Sequence, residues 1–112
     1  MVDRVEIDSY WTKRYYRDDK IHRDGGLPAV EYADGGKEYY VNGKPHREGG
    51  LPAIEAANGD REWFLNGQRH RTDGPAVEFV NGDREWFLNG LMYTDEDEFQ
   101  VEVVLQEWGL LA

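Results

Sequence analysis

The chain repeats itself with a short period, and that limits what it can fold into. Tyr15 to Arg23, Tyr39 to Arg47 and Trp63 to Arg71 align at intervals of 24 residues, and Trp86-Phe87-Leu88-Asn89-Gly90 opens a further unit 23 residues after Trp63. A unit of this length cannot bury an apolar face alone, so successive units must stack and share a core. The residue missing from the last interval lies between Arg71 and Pro75, where Thr72-Asp73-Gly74 replaces Glu48-Gly49-Gly50-Leu51. Length therefore varies in a connection, where repeat arrays tolerate it.

The turn chemistry inside each unit is that of β-hairpins. Asn42-Gly43, Asn58-Gly59, Asn66-Gly67, Asn81-Gly82 and Asn89-Gly90, with Asp34-Gly35, are expected to supply the positive φ angles of two-residue type I′ turns. Between them, Pro52-Ala53-Ile54-Glu55 and Pro75 to Phe79 read as one strand, Glu62 to Leu65 and Glu85 to Leu88 as the next, and the His-Arg segments as a shorter third. Alternation along the second strand assigns Tyr39/Val41, Trp63/Leu65 and Trp86/Leu88 to the core. It assigns Tyr40, Phe64 and Phe87 to the opposite face, as a candidate exposed aromatic row.

The two ends of the chain differ from the repeats. Residues 1–14 form a lead-in, with Ile7, Tyr10 and Trp11 expected in an edge strand or a cap. From Thr94 the pattern changes: Thr94 is a helix cap, Asp95-Glu96-Asp97-Glu98 sets acids in a first turn where the helix dipole favours them, and Gly109 is a stop. Phe99, Val103 and Leu110, with Val104, Trp108 and Leu111, give that helix one broad apolar face. A strand over 99–105 is the competing reading, because Phe99, Val101, Val103 and Leu105 alternate. The expected fold is mainly β: an antiparallel hairpin-repeat meander of about three units (15–93), curled as a single sheet, with a C-terminal capping α-helix (94–112), all in one domain.

The units Glu62-Trp63-Phe64-Leu65-Asn66-Gly67 and Glu85-Trp86-Phe87-Leu88-Asn89-Gly90 resemble MORN-variant repeats. The phrase His70-Arg71-Thr72-Asp73-Gly74-Pro75-Ala76 is similar to repeats in proteins of bacteriophages and large DNA viruses. The resemblance covers about residues 15–98. It implies an antiparallel β-repeat sheet used as a binding scaffold, of viral origin, and it supplies no catalytic residues. These units carry histidine and arginine where ordinary MORN repeats have a further glycine, which argues against the phospholipid and membrane-tethering roles proposed for ordinary MORN proteins.

Composition narrows the chemistry further. With 13 Lys+Arg against 23 Asp+Glu the net charge is -10, which opposes direct contact with nucleic acid or anionic membranes. Cysteine is absent and Ser9 is the only serine, so no nucleophile is tied to a base by any motif. Gly25-Gly26, Gly35-Gly36 and Gly49-Gly50 sit in turns rather than before a helix, so no phosphate loop is expected. His22, His46 and His70 recur in register, but equivalent positions lie roughly 10 to 14 Å apart, against about 2 Å for a zinc–nitrogen bond. They cannot share an ion, and each is expected to bond a carbonyl or the carboxylate of Glu31, Glu55 or Glu78. Arg23, Arg47 and Arg71 are expected to form ladders with those same acids. No metal or cofactor is expected, nor is enzyme activity.

The charge map locates a candidate surface. Residues 86–112 hold six acids and no base, concentrated at Asp95, Glu96, Asp97 and Glu98 with Glu102 and Glu107. Asp95, Glu96, Asp97, Glu98 and Glu102, together with Phe64 and Phe87, are the expected partner-binding residues. The function expected is that of a non-enzymatic, phage- or virus-encoded inhibitor of a host protein, such as a nucleic-acid-binding defence component, acting in the host cytoplasm. No stretch approaches the roughly 20 apolar residues of a membrane span, and Met1 to Glu6 lacks the apolar core of a signal peptide. The alternatives are an assembly module that forms a homo-oligomer and has no host target, and a small-ligand pocket lined by Trp63 and Trp86.

Overall fold

The computed structural model describes residues 2–109. Along the main antiparallel sheet run β1 (Arg4–Ile7), β2 (Lys13–Arg17), β4 (Val30–Glu31), β5 (Lys37–Glu38), β8 (Ile54–Glu55), β9 (Arg61–Glu62), β12 (Val77–Glu78), β13 (Arg84–Leu88) and β14 (Leu91–Tyr93), in that spatial order. The sheet is an open meander that does not close into a barrel, with a single C-terminal helix, α1 (Glu96–Glu107). Beside it lie the short arms β3 (Lys20–Ile21), β6–β7 (Tyr40–Val41, Lys44–Pro45) and β10–β11 (Phe64–Leu65, Gln68–Arg69). The molecule is a slab of 46 × 33 × 18 Å.

The strand expected over Glu62 to Leu65 is divided at Trp63, and the cause is visible in the backbone. Trp63 N–H donates to Ala76 O in the meander, while Trp63 O accepts from His70 N–H in the side hairpin. Tyr15 and Tyr39 do the same, with Ala29 and His22 and with Ala53 and His46. One residue thus leaves one ladder and enters another, and alternation does not carry across it. Hence Val41 is exposed and Leu65 half-buried, although both were expected in the core. Phe87, in the undivided β13, was expected outside and is buried against Trp63, Ala76 and Val77 of the preceding unit. The strand expected at the His-Arg segments ends one residue before each histidine.

Two kinds of turn are present where one was expected. Asn42-Gly43, Asn66-Gly67 and Asn89-Gly90 have both φ angles positive, as type I′ requires, and Asp18-Asp19 makes a fourth such turn without glycine. At Asn58-Gly59 only Gly59 is left-handed, with φ 101°: Gly59 N–H donates to Ala56 O and Ala56 N–H to Asp60 O, a type I turn followed by a bulge. Asp34-Gly35 and Asn81-Gly82 follow that second pattern, with only the glycine at positive φ.

Two further contacts recur, the first within each unit and the second between one unit and the next. The guanidinium groups of Arg23, Arg47 and Arg71 lie 3.8 Å over the rings of Tyr15, Tyr39 and Trp63. Each donates to a proline carbonyl (Pro28, Pro52, Pro75) and meets its expected acid, Glu31, Glu55 or Glu78, at 3.4, 2.8 and 2.7 Å. The histidines do not use those acids. In each, Nδ1 accepts the backbone N–H of the asparagine opening the next type I′ turn (Asn42, Asn66 and Asn89), at 2.9 Å. On the opposite ring nitrogen His22 meets Asp24 at 2.7 Å and His46 meets Glu48 at 3.3 Å. Against this frame Ala29, Ala53 and Ala76 are fully buried, and Trp63, Ala76, Val77 and Phe87 form one core cluster.

Arg47→Lys keeps the charge but loses the planar fork that reaches Tyr39, Pro52 and Glu55 together. A loss of about 1–3 kcal/mol is expected, measured by urea unfolding. Burial holds the His70 imidazole below its ordinary range, so the unfolded chain binds its proton more readily than the fold does. Stability from this site is therefore complete above the unfolded value of about 6.5 and is lost as the pH falls below it. His70→Asn, which keeps an acceptor for Asn89 N–H but does not titrate, is expected to flatten the fall in the urea midpoint between neutral and mildly acidic pH.

Candidate partner-binding surface

The acidic segment folds as a helix, and its acids have two different roles. Asp95, not Thr94, is the N-cap: its φ and ψ are -116° and 119°, and its Oδ1 accepts Asp97 N–H at 2.8 Å and Glu98 N–H at 3.3 Å. The shift by one residue follows from the chain, because Asp95 O already receives Phe99 N–H, the first helical bond. Asp95 therefore works for the helix, and the exposed Glu96 sits in the first turn where the dipole favours an acid. Trp108 is the C-cap, and Gly109 at φ 71° ends the helix as expected.

Docking of α1 is carried by few residues. Phe99 and Val103 are buried against Leu88, with Trp86 and Tyr93 packed around them, and the rings of Tyr93 and Phe99 meet edge to face at 6.1 Å. This fixes the helix on β13 and β14 and turns Asp97, Glu98 and Glu102 around a shallow depression of about 480 Å³ shared with Tyr93 and Val101. The Tyr93 hydroxyl is held above its ordinary pKa, first by burial and then by Glu102 and Glu98.

The broad apolar face expected of this helix is in fact two stripes. Val104 and Trp108, expected with Phe99 and Val103, are 44% and 74% exposed. At about 100° per residue, Val101, Val104, Leu105 and Trp108 stand on the side opposite Phe99 and Val103. Their spacing of i, i+3, i+4 and i+7 is itself a signal in the sequence; it is masked because the two stripes interleave along the chain. Gln100, Val101, Val104 and Leu105 line a continuous apolar patch there. Leu110 and Leu111 lie outside the described residues.

The aromatic part of the expected site is not present as expected. Phe87 is 8% exposed and belongs to the core with Trp63, so it offers no surface to a partner. Phe64 is half-buried, and the Arg69 guanidinium lies 5.5 Å from both rings. Trp63 and Trp86 do not line one pocket. Trp63 borders a depression of about 280 Å³ with Arg47 and Arg71, whose guanidiniums are already engaged, while Trp86 packs toward α1. Among the described residues no group of three or more His, Asp or Glu side chains is placed to hold a metal ion, and no helix is long and apolar enough to cross a membrane.

Asp95→Ala removes the cap but no interface atom of the stripe. It is expected to cost about 1 kcal/mol and to raise amide exchange in the first turn of α1, read by hydrogen exchange. Comparison with protein-family models, with curated proteins and with solved structures finds no match to this chain.

Proposed function

We propose that the chain is a non-enzymatic protein-binding scaffold, of phage or viral origin, that inhibits or modulates a host protein by presenting α1. The repeat sheet is the platform. The outer stripe of α1 enters an apolar groove on the partner, and Asp97, Glu98 and Glu102 meet basic residues at the rim of that groove. A partner surface built for nucleic acid, as in a defence nuclease, has that basic character.

One observation carries the reading: α1 is apolar on two opposite sides, and among the described residues only one of them is covered. A solvated capping helix needs a single stripe, whereas a helix apolar on both sides is suited to lie between two bodies. The acids beside the stripe add charge selectivity, and 86–112 contains no base to compensate them.

The test is affinity capture from host lysate by the wild type, by Val101→Asp/Val104→Asp, and by Asp97→Lys/Glu98→Lys/Glu102→Lys, with Asp95 left intact so that the helix keeps its cap. Capture lost in both variants and weakened by salt in the wild type is the expected result. A partner retained by both variants would contradict the assignment to α1.

A further inference from the structure

The sheet ends in two edge strands, β14, on which α1 packs, and β1. Strand β1 pairs only with β2, in the register Arg4↔Tyr16, Val5↔Tyr15, Glu6↔Arg14 and Ile7↔Lys13, and all four of its residues are exposed. Asp8 N–H donates to Thr12 O across this pair. Antiparallel ladders alternate, so Glu6 and Arg4 also bond inward, leaving the N–H and C=O groups of Val5 and Ile7 directed to the free edge. The edge is held rigid by its own turn: Asp8 Oδ1 accepts Tyr10 N–H and Thr12 N–H at 2.9 and 3.0 Å, and its other oxygen meets Arg14 at 3.0 Å. A rigid strand edge without proline, carrying Val5 and Ile7 at 45% and 58% exposure, is a template for another strand.

We propose that the occupant of this edge is β1 of a second copy of the chain, paired antiparallel about a two-fold axis at Val5. Charge selects both the partner and the register. Centred on Val5, Arg4 faces Glu6 of the other copy twice over, and Val5 faces Val5. Centred on Arg4 or on Glu6, the strand sets like charges directly opposite each other; centred on Ile7, it sets Glu6 against Asp8. Opposed like charges destabilise a cross-strand pair, and only the Val5 register avoids them. The strand is self-complementary in that register alone.

The rest of the molecule agrees with a closed dimer. A β1–β1 pair about a two-fold axis is isologous and closes on itself, with α1 at the opposite end of each sheet on β13 and β14. Residues 1–14 hold three bases and three acids, whereas 86–112 hold six acids and no base. Joining the chains at β1 therefore brings neutral ends together and keeps the two acidic helices at the far ends, well beyond a Debye length of about 8 Å. Val5 lies opposite the buried Tyr15, so the pair would also continue the core side of the sheet across the axis. The inference does not depend on the function proposed for α1, which faces away from this edge.

Sedimentation equilibrium from low micromolar to millimolar concentration is expected to show a monomer–dimer equilibrium, with the amides of Val5 and Ile7 gaining protection from exchange as the dimer forms. Val5→Pro removes only outward N–H groups, so β1 keeps its pairing to β2 while the dimer weakens roughly tenfold or more through two lost main-chain bonds. Arg4→Glu and Glu6→Arg are each expected to weaken the dimer, and the double exchange to restore it, because the two charges still face each other. A wild type that stays monomeric at millimolar concentration would overturn the proposal. So would a dimer that ignores Val5→Pro and the charge exchanges, or one abolished instead by Val101→Asp/Val104→Asp.

Discussion

The structure depends on one residue per unit holding two ladders at once. Tyr15, Tyr39 and Trp63 donate to an alanine in the meander and accept from a histidine in the side hairpin, and at that point the chain changes partner. In the third unit the Trp63 ring packs with the buried Ala76 whose carbonyl its N–H bonds. The arginine above the ring supplies the donor for a proline carbonyl. The fork reaches that carbonyl and the glutamate together, while its plane lies on the ring. Aromatic, arginine, glutamate and proline therefore recur as a set, and lysine could not serve in place of the arginine.

The histidines follow from the same break. Once the side hairpin leaves the sheet, the first amide of the next type I′ turn has no strand opposite it, and an imidazole nitrogen supplies the acceptor. Their periodic recurrence is thus a hydrogen-bonding requirement of stacking. Stacking of this kind stops only where a different element covers the last unit, and α1 does so with Phe99 and Val103 on Leu88.

Much of this was legible in the sequence. The period, the three Asn-Gly type I′ turns, the arginine–glutamate pairs, the helix and its glycine stop all follow from local chemistry, which acts over a few residues. What was not legible depends on partners distant in the chain. Alternation assigned Val41 inward because nothing local reveals that the strand exchanges ladders at Tyr39, and it assigned Phe87 outward because the residues that bury it, Trp63, Ala76 and Val77, belong to the preceding unit. The histidine acceptors lie 19 or 20 residues from their donors. The two stripes of α1 merged into one because only the packed structure shows that Phe99 and Val103 are sufficient to dock it.

The claim that α1 is the binding element is tested most directly by site-specific photo-crosslinking in host cells. A photoreactive residue is placed at Val104, 44% exposed on the outer stripe, or at the more exposed Val80, 61%, on a turn of the sheet. The account predicts a discrete covalent adduct from Val104 and none from Val80. An adduct from Val80 alone, or from neither position, would contradict it.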